Sequence, residues 1–173
     1  MYVCMYVCMF VTRKQMREHA YLAQVNVAGA QVAVSDSIRI LGVTIDKNLT
    51  FDDHVKSVCK NSCYQIWALR HIHPMLTEYI AKSVACSLVN ARLDYANSVL
   101  FGVISKNILK LQMMQNTLTR VVTGLQCRDH MMSTTKRLHW LPIKSRTDFK
   151  IASLTFKVRS ANQAVYLASL ISS

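Results

Sequence analysis

Glycine and proline are scarce, four and two in 173 residues. Sandwiches and barrels need both for their many turns, so this scarcity argues against such folds and favours long helices, which need few of either. Acidic residues are also few: nine, against 21 Lys and Arg. The apolar run over residues 1–11 is shorter than the roughly 20 residues a membrane-spanning helix requires. A secretory signal carries positive charge before its apolar run, whereas Arg13, Lys14 and Arg17 come after this one. No membrane partner is expected. The six cysteines (Cys4, Cys8, Cys59, Cys63, Cys86 and Cys127) are irregularly spaced, which reads as reduced thiols in a cytoplasmic or nuclear protein. In that compartment the sequon Asn48-Leu49-Thr50 has no role.

What the chain does have is apolar mass and positive charge. Half of it is apolar, enough for a core in a chain of about one domain. The net charge of +12 is uneven. Residues 1–100 hold ten Lys/Arg and seven acids, for +3; residues 101–173 hold eleven and two (Asp129, Asp148), for +9. A basic half of this kind is the footprint of contact with a polyanion.

The first residues repeat. Met1-Tyr2-Val3-Cys4 recurs as Met5-Tyr6-Val7-Cys8. Codons ATG, TAT, GTA and TGT spell this unit and together form a run of the tetranucleotide ATGT. Residues 1–11 therefore read as a microsatellite-like, non-structural leader. At the other end, the stop at Ser173 without a polar tail reads as truncation.

Between the ends, alternation over residues 24–32 with a turn at Ala28-Gly29 predicts a short hairpin, and Ile38–Ile45 a third strand with a bulge or a close backbone approach at Gly42. Thr50, Asp52 and Asp53 offer N-cap chemistry for a helix over about 52–71, with Val55, Val58, Cys59, Ser62, Ile66 and Leu69 as its apolar stripe, Trp67 beside it and Pro74 after it. Thr77 caps a second helix, with Ile80, Val84, Leu88 and Ala91 at helical spacing; residues 92–100 continue or bend it, and Gly102 closes it. Ser105 caps a third, whose inner side is marked by Ile108, Leu111, Gln115, Leu118 and Val122 and whose C-cap is Gly124. A short helix over 130–138 follows, then a long basic one from Pro142 to about 160 with Ile143, Phe149, Leu154 and Phe156 as apolar members, and a last helical piece at 164–171.

Several segments fall in an order that is similar to one family. Ile38–Val43 reads Ile-x-x-Leu-Gly-Val, and Leu49–His54 reads Leu-Thr-Phe-Asp-x-His. Then come Arg92-Leu93-Asp94-Tyr95, Leu111-Gln112 with Gln115-Asn116, Leu138-His139-Trp140-Leu141-Pro142, and Phe149-Lys150-Ile151. From Val25 to Ile171 the chain resembles the region beyond the catalytic palm of reverse transcriptases from LINE-type (non-LTR) retrotransposons, in the jockey-like and chicken-repeat-like groups. It departs at Ala96, where the family often has Cys, at Met113 in place of a common Arg, and at Val165 in place of a Pro.

The resemblance implies a mainly α fold: a helical, thumb-like bundle over 51–173, preceded at 12–50 by short antiparallel strands, the edge of a missing palm sheet. It implies RNA and DNA, as an RNA–DNA duplex, for partners. It implies Mg²⁺ for the parent polymerase and no cofactor in this chain, since the family's Phe-Ala-Asp-Asp hairpin does not occur in it. Phe51-Asp52-Asp53 holds the only Asp pair, read as a helix start. No catalytic residue and no metal ligand is assigned. The expected function is primer–template binding without polymerisation, and the alternative is a helical protein-interaction domain using an exposed apolar surface. Candidate nucleic-acid contacts are Lys106, Lys110, Arg120, Lys136, Arg137, Lys144, Arg146 and Lys150. Cys59 and Cys63, with His71 and His73 beyond, fit no zinc spacing and read as buried thiols. Trp140 reads as an apolar anchor between two helices.

Overall fold

The computed structural model describes residues 24–125 and 131–161, except Ala28 and Val34. The repeat at 1–9, nearly all of the basic stretch 12–24, Cys127 and the helix expected at 164–171 lie outside them. The described protein is mainly helical, with a small antiparallel β element toward its N-terminal end, as expected. It divides into two compact units that part between Ser57 and Val58, inside the first helix.

In the first unit, β1 (Gln24–Val27) pairs antiparallel with β2 (Ala30–Ala33), Val27 opposite Ala30. Gly29, at φ +87°, turns the chain between them, and its N–H donates to Asn26 Oδ1 at 3.1 Å. The third strand expected at 38–45 is a second hairpin: β3 (Ser37–Ile40) pairs with β4 (Val43–Asp46), Ile40 opposite Val43. Leu41 and Gly42 both have positive φ (+47° and +82°), which makes a two-residue turn and not a bulge. The apolar side chain of Leu41 hid the turn; it sits exposed at the tip. The two hairpins form separate two-stranded sheets.

Asp46 ends β4 and organises the loop after it. Its carboxylate accepts from the N–H groups of Thr50 (3.0 Å) and Phe51 (2.7 Å) and from the Thr50 hydroxyl (2.9 Å). Burial pushes the Asp46 pKa up, but these donors outweigh it and hold the carboxyl below its ordinary value of 3.8. The loop so held carries Phe51 at φ +56° into α1 (Asp52–Ile72). Asp52 and Asp53 thus lie in the first turn, where carboxylates favour the helix dipole. Just inside, buried His54 accepts the Thr44 N–H on Nδ1 at 3.5 Å.

In the second unit, Ser62, Ile66 and Leu69 of the expected α1 stripe are buried, Val58 and Cys59 are half-buried, and Trp67 lies outside with His71 stacked on it. A single 3-10 turn, His73–Met75, contains Pro74 and ends the segment. The Thr77 hydroxyl accepts from Ile80 N–H at the start of α2 (Glu78–Ala85), as expected of a cap. The inner face of α2 differs from expectation. Ala81, Ala85 and Val89 are buried, while Ile80, Leu88 and Ala91 are exposed. Small side chains let the α2 backbone approach its neighbour closely, and a π-helical turn at Cys86–Asn90 then shifts the register. After α3 (Ala91–Asp94) the chain bends through Ala96, in left-handed conformation at φ +50°, into a 3-10 turn at Asn97–Leu100.

The helix α4 (Ser105–Thr123) is central: α2, α5 (Met131–Arg137) and α6 (Ile143–Ala161) all pack against it. Of the side marked by spacing, Leu111, Gln115, Leu118 and Val122 are buried and Ile108 is half-buried, and Gly124 closes the helix at φ +66°. Its N-cap is Ile104, with no side-chain cap, so Ser105 opens the helix instead of capping it. On α6 only Ile143 of the four expected apolar members is buried; Phe149, Leu154 and Phe156 are exposed, and Thr147 and Val158 face inward.

Candidate nucleic-acid interface

Three segments far apart in sequence meet around the start of α6. Gln112 and Gln115, one turn apart on α4, both reach the connector that follows α5. Gln112 Oε1 accepts the Ile143 N–H (2.9 Å), satisfying an orphan donor at the α6 N-terminus, and Gln115 Nε2 donates to Leu141 O (2.8 Å). Arg146, on the first turns of α6, donates through Nε to the same Leu141 carbonyl (2.7 Å) and through Nη1 to both Asp94 oxygens (3.1 and 3.0 Å). Its side chain is only 11% exposed. The glutamines, the Leu-His-Trp-Leu-Pro segment and Asp94 are thus one hydrogen-bonded assembly. Trp140 anchors it, buried at 7% exposure.

This assembly redistributes the candidate basic residues. Arg146 is a structural tie. Arg137 pairs with Glu78 on α2 at 2.9 Å. Lys144 and Asp148 line one cleft of about 340 Å³. Lys110 leans on Asn107 Oδ1 at 3.4 Å. Lys106, Lys136 and Lys150 are exposed and make no ion pair among the described residues.

Arg120 stands apart. It lines a second cleft, of about 410 Å³, between the end of α1 and the end of α4. Arg70 and His73 also line it, and among the described residues no carboxylate does. The His73 ring meets the Val122 carbonyl through Nε2 at 3.2 Å. The Nε of Arg120 is buried and has no hydrogen-bond partner among the described residues. A guanidinium can only donate and keeps its charge at any relevant pH, so its complement is an anion or a strong acceptor. Arg70 carried no signal at the level of sequence: it sits in a helix read for its apolar stripe, 50 residues from Arg120.

The chain matches no family model, no curated protein and no solved structure.

Cys59, Cys63, His71 and His73 do not gather. Among the described residues no three His, Cys, Asp or Glu side chains are placed to hold a metal ion. Asp52 and Asp53 do not fit the polymerase metal pair either: they share a helical turn, and Asp53 is bound to Lys56 at 2.9 Å. The buried-thiol reading needs correction, since Cys59 is half-buried and Cys63 exposed, its sulfur 3.4 Å from Met114 Sδ. Burial, reinforced by the neighbouring Cys63, pushes the Cys59 thiol above its ordinary value. With iodoacetamide at neutral pH, Cys63 is therefore expected to alkylate several-fold faster than Cys59, read by peptide mass mapping. Equal rates would show that Cys59 is neither shielded nor raised. No described helix is long and apolar enough to cross a membrane.

Proposed function

We propose that this chain binds the phosphate backbone of RNA or of an RNA–DNA duplex, as the region beyond the palm of a LINE-type reverse transcriptase does by resemblance, and that it does not polymerise alone. The observation that carries the binding is the cleft of Arg70 and Arg120, where, among the described residues, a buried guanidinium nitrogen lacks a partner and no carboxylate lines the wall. The surplus of +9 over residues 101–173 supplies the surrounding field, and Lys106, Lys136 and Lys150 are its exposed carriers. The family assignment rests on the ordered motifs, and it gains support from their physical union: Asp94, Gln112, Gln115 and Leu141 are partners in one network.

Fluorescence anisotropy with an RNA–DNA duplex over a range of salt tests the reading. Log affinity should fall linearly with log salt. Replacing both arginines (Arg70→Met with Arg120→Met, which keeps the apolar stems) should weaken binding about tenfold or more and flatten the slope by about 2. An unchanged slope removes the cleft from the interface. Binding without salt dependence favours the protein-interaction alternative, for which Tyr64 and Trp67 on α1 are exposed apolar candidates.

A further inference from the structure

We propose that the cleft between Asn90, Asn97 and the start of α6 holds one unpaired nucleobase that carries an exocyclic amino group (cytosine, adenine or guanine) from a single-stranded nucleic acid. This deepens the nucleic-acid reading and rests on it.

The cleft has a volume of about 510 Å³, within the range of roughly 300–1,000 Å³ typical of small-molecule sites. Its lining includes Asn90, Asn97, His139, Trp140, Phe149 and Lys150, with the Asp94–Arg146 pair alongside. Three departures from regular backbone converge on it. The π-helical turn Cys86–Asn90 ends at Asn90. Ala96, at φ +50°, immediately precedes Asn97, and His139, at φ +57°, immediately precedes Trp140. These two are the only non-glycine residues of positive φ described in the second unit. Strained backbone and π turns persist where the surroundings enforce them, and they collect at binding sites.

The polar chemistry of the cleft is specific. Asn90 and Asn97 are 6% and 5% exposed, and among the described residues the side-chain carbonyl of each has no hydrogen-bond partner. The amide nitrogen of Asn90 faces Cys86 Sγ at 3.7 Å, which leaves its oxygen as the unsatisfied end. These two acceptors are open to donors from a ligand or from water. Arg146 does not answer them, being directed to Asp94 and Leu141. Around these acceptors the walls are aromatic. Trp140 is buried, while Phe149 is 66% exposed and offers a ring face. Lys150, exposed beside it, supplies a cation.

Paired acceptors, a stacking ring and an adjacent ammonium together fit a nucleotide. The ring stacks, the exocyclic amine donates and the phosphate meets Lys150. Uracil fits less well, because its O4 carbonyl stands where the amine of cytosine stands and faces another carbonyl oxygen.

The test is an NMR titration of the full chain with CMP, AMP and UMP. It follows the side-chain amides of Asn90 and Asn97 and the rings of Trp140 and Phe149. CMP and AMP should shift these signals and bind at least about tenfold more tightly than UMP. Phe149→Ala, at an exposed position that leaves folding intact, should weaken CMP about tenfold. Lys150→Met should weaken CMP but not cytidine. Equal affinities for CMP and UMP, shifts confined to other residues, or no shift with any nucleotide would each overturn the pocket. They would leave salt-dependent duplex binding standing. Conversely, discrimination of CMP from UMP by a chain whose duplex binding ignores salt would retain the pocket and remove the backbone reading.

Discussion

Arg146→Ala is expected to lower stability by about 2–3 kcal/mol, the largest loss from any single basic residue among those described. Breaking a buried ion pair from one side costs roughly 3–5 kcal/mol when both partners are enclosed. Here Arg146 is nearly enclosed, but Asp94 is about half exposed, so water takes over part of the lost interaction. The remainder comes from Leu141 O, which keeps only the Gln115 donor, and from the lost packing of the arginine stem. Urea denaturation measures it, with Lys144→Ala as a control expected to change stability by less than about 0.5 kcal/mol. A double-mutant cycle with Asp94→Asn separates the pair from the carbonyl contact. Equal midpoints for the Arg146 and Lys144 variants would mean that the network does not bind the segments together. The same geometry makes Arg146 a poor probe of RNA binding, because affinity lost on its removal would report unfolding.

Sequence carried the helical architecture because long, evenly spaced stripes leave little choice: Ser62, Ile66 and Leu69 on α1 and Leu111, Gln115, Leu118 and Val122 on α4 are buried where their period puts them. It failed where bulk and burial part company. On α2 the large Ile80 and Leu88 drew the apolar face toward themselves, while the structure buries Ala81, Ala85 and Val89. On α6, Phe149 and Phe156 looked like core and are exposed. The site was legible as a charge and as a set of motifs, but not as partners. Nothing in local spacing pairs Asp94 with Arg146, Gln112 with Ile143, or Arg70 with Arg120. Those pairings are products of tertiary packing around α4. The two asparagines were invisible for the same reason: Asn90 turns inward only because a π turn places it there, and Asn97 follows a left-handed Ala96.

Asp46 gives the second large effect, although in the sequence it reads only as part of a turn. Thr50, Asp52 and Asp53 look sufficient to start α1, yet the group that holds the loop is a carboxylate on the preceding strand. Hydrogen bonds to a charged acceptor contribute about 1.5–3 kcal/mol each and do not add fully, so Asp46→Ala should cost the first unit about 2–4 kcal/mol. Amide exchange would show it as faster exchange at Thr50 and Phe51, with residues 105–123 unaffected. Unchanged exchange at those two amides would mean that the carboxylate does not hold the loop. The pH dependence arises from the same contacts. Both Asp46 and His54 titrate below their ordinary values in the folded chain, His54 because burial, and then the charge of Arg39, disfavour its protonation. A group with a lowered folded pKa contributes stability that is complete above its unfolded pKa and is lost as pH falls through the folded one. Acid should therefore loosen the first unit in two stages. One begins below about 6.5, as His54 is forced to protonate and loses the Thr44 N–H. The other begins below about 3.8, as Asp46 loses its charge. His54→Gln should abolish the upper stage alone and Asp46→Ala the lower alone. A single stage common to both variants would show that neither group controls the unit.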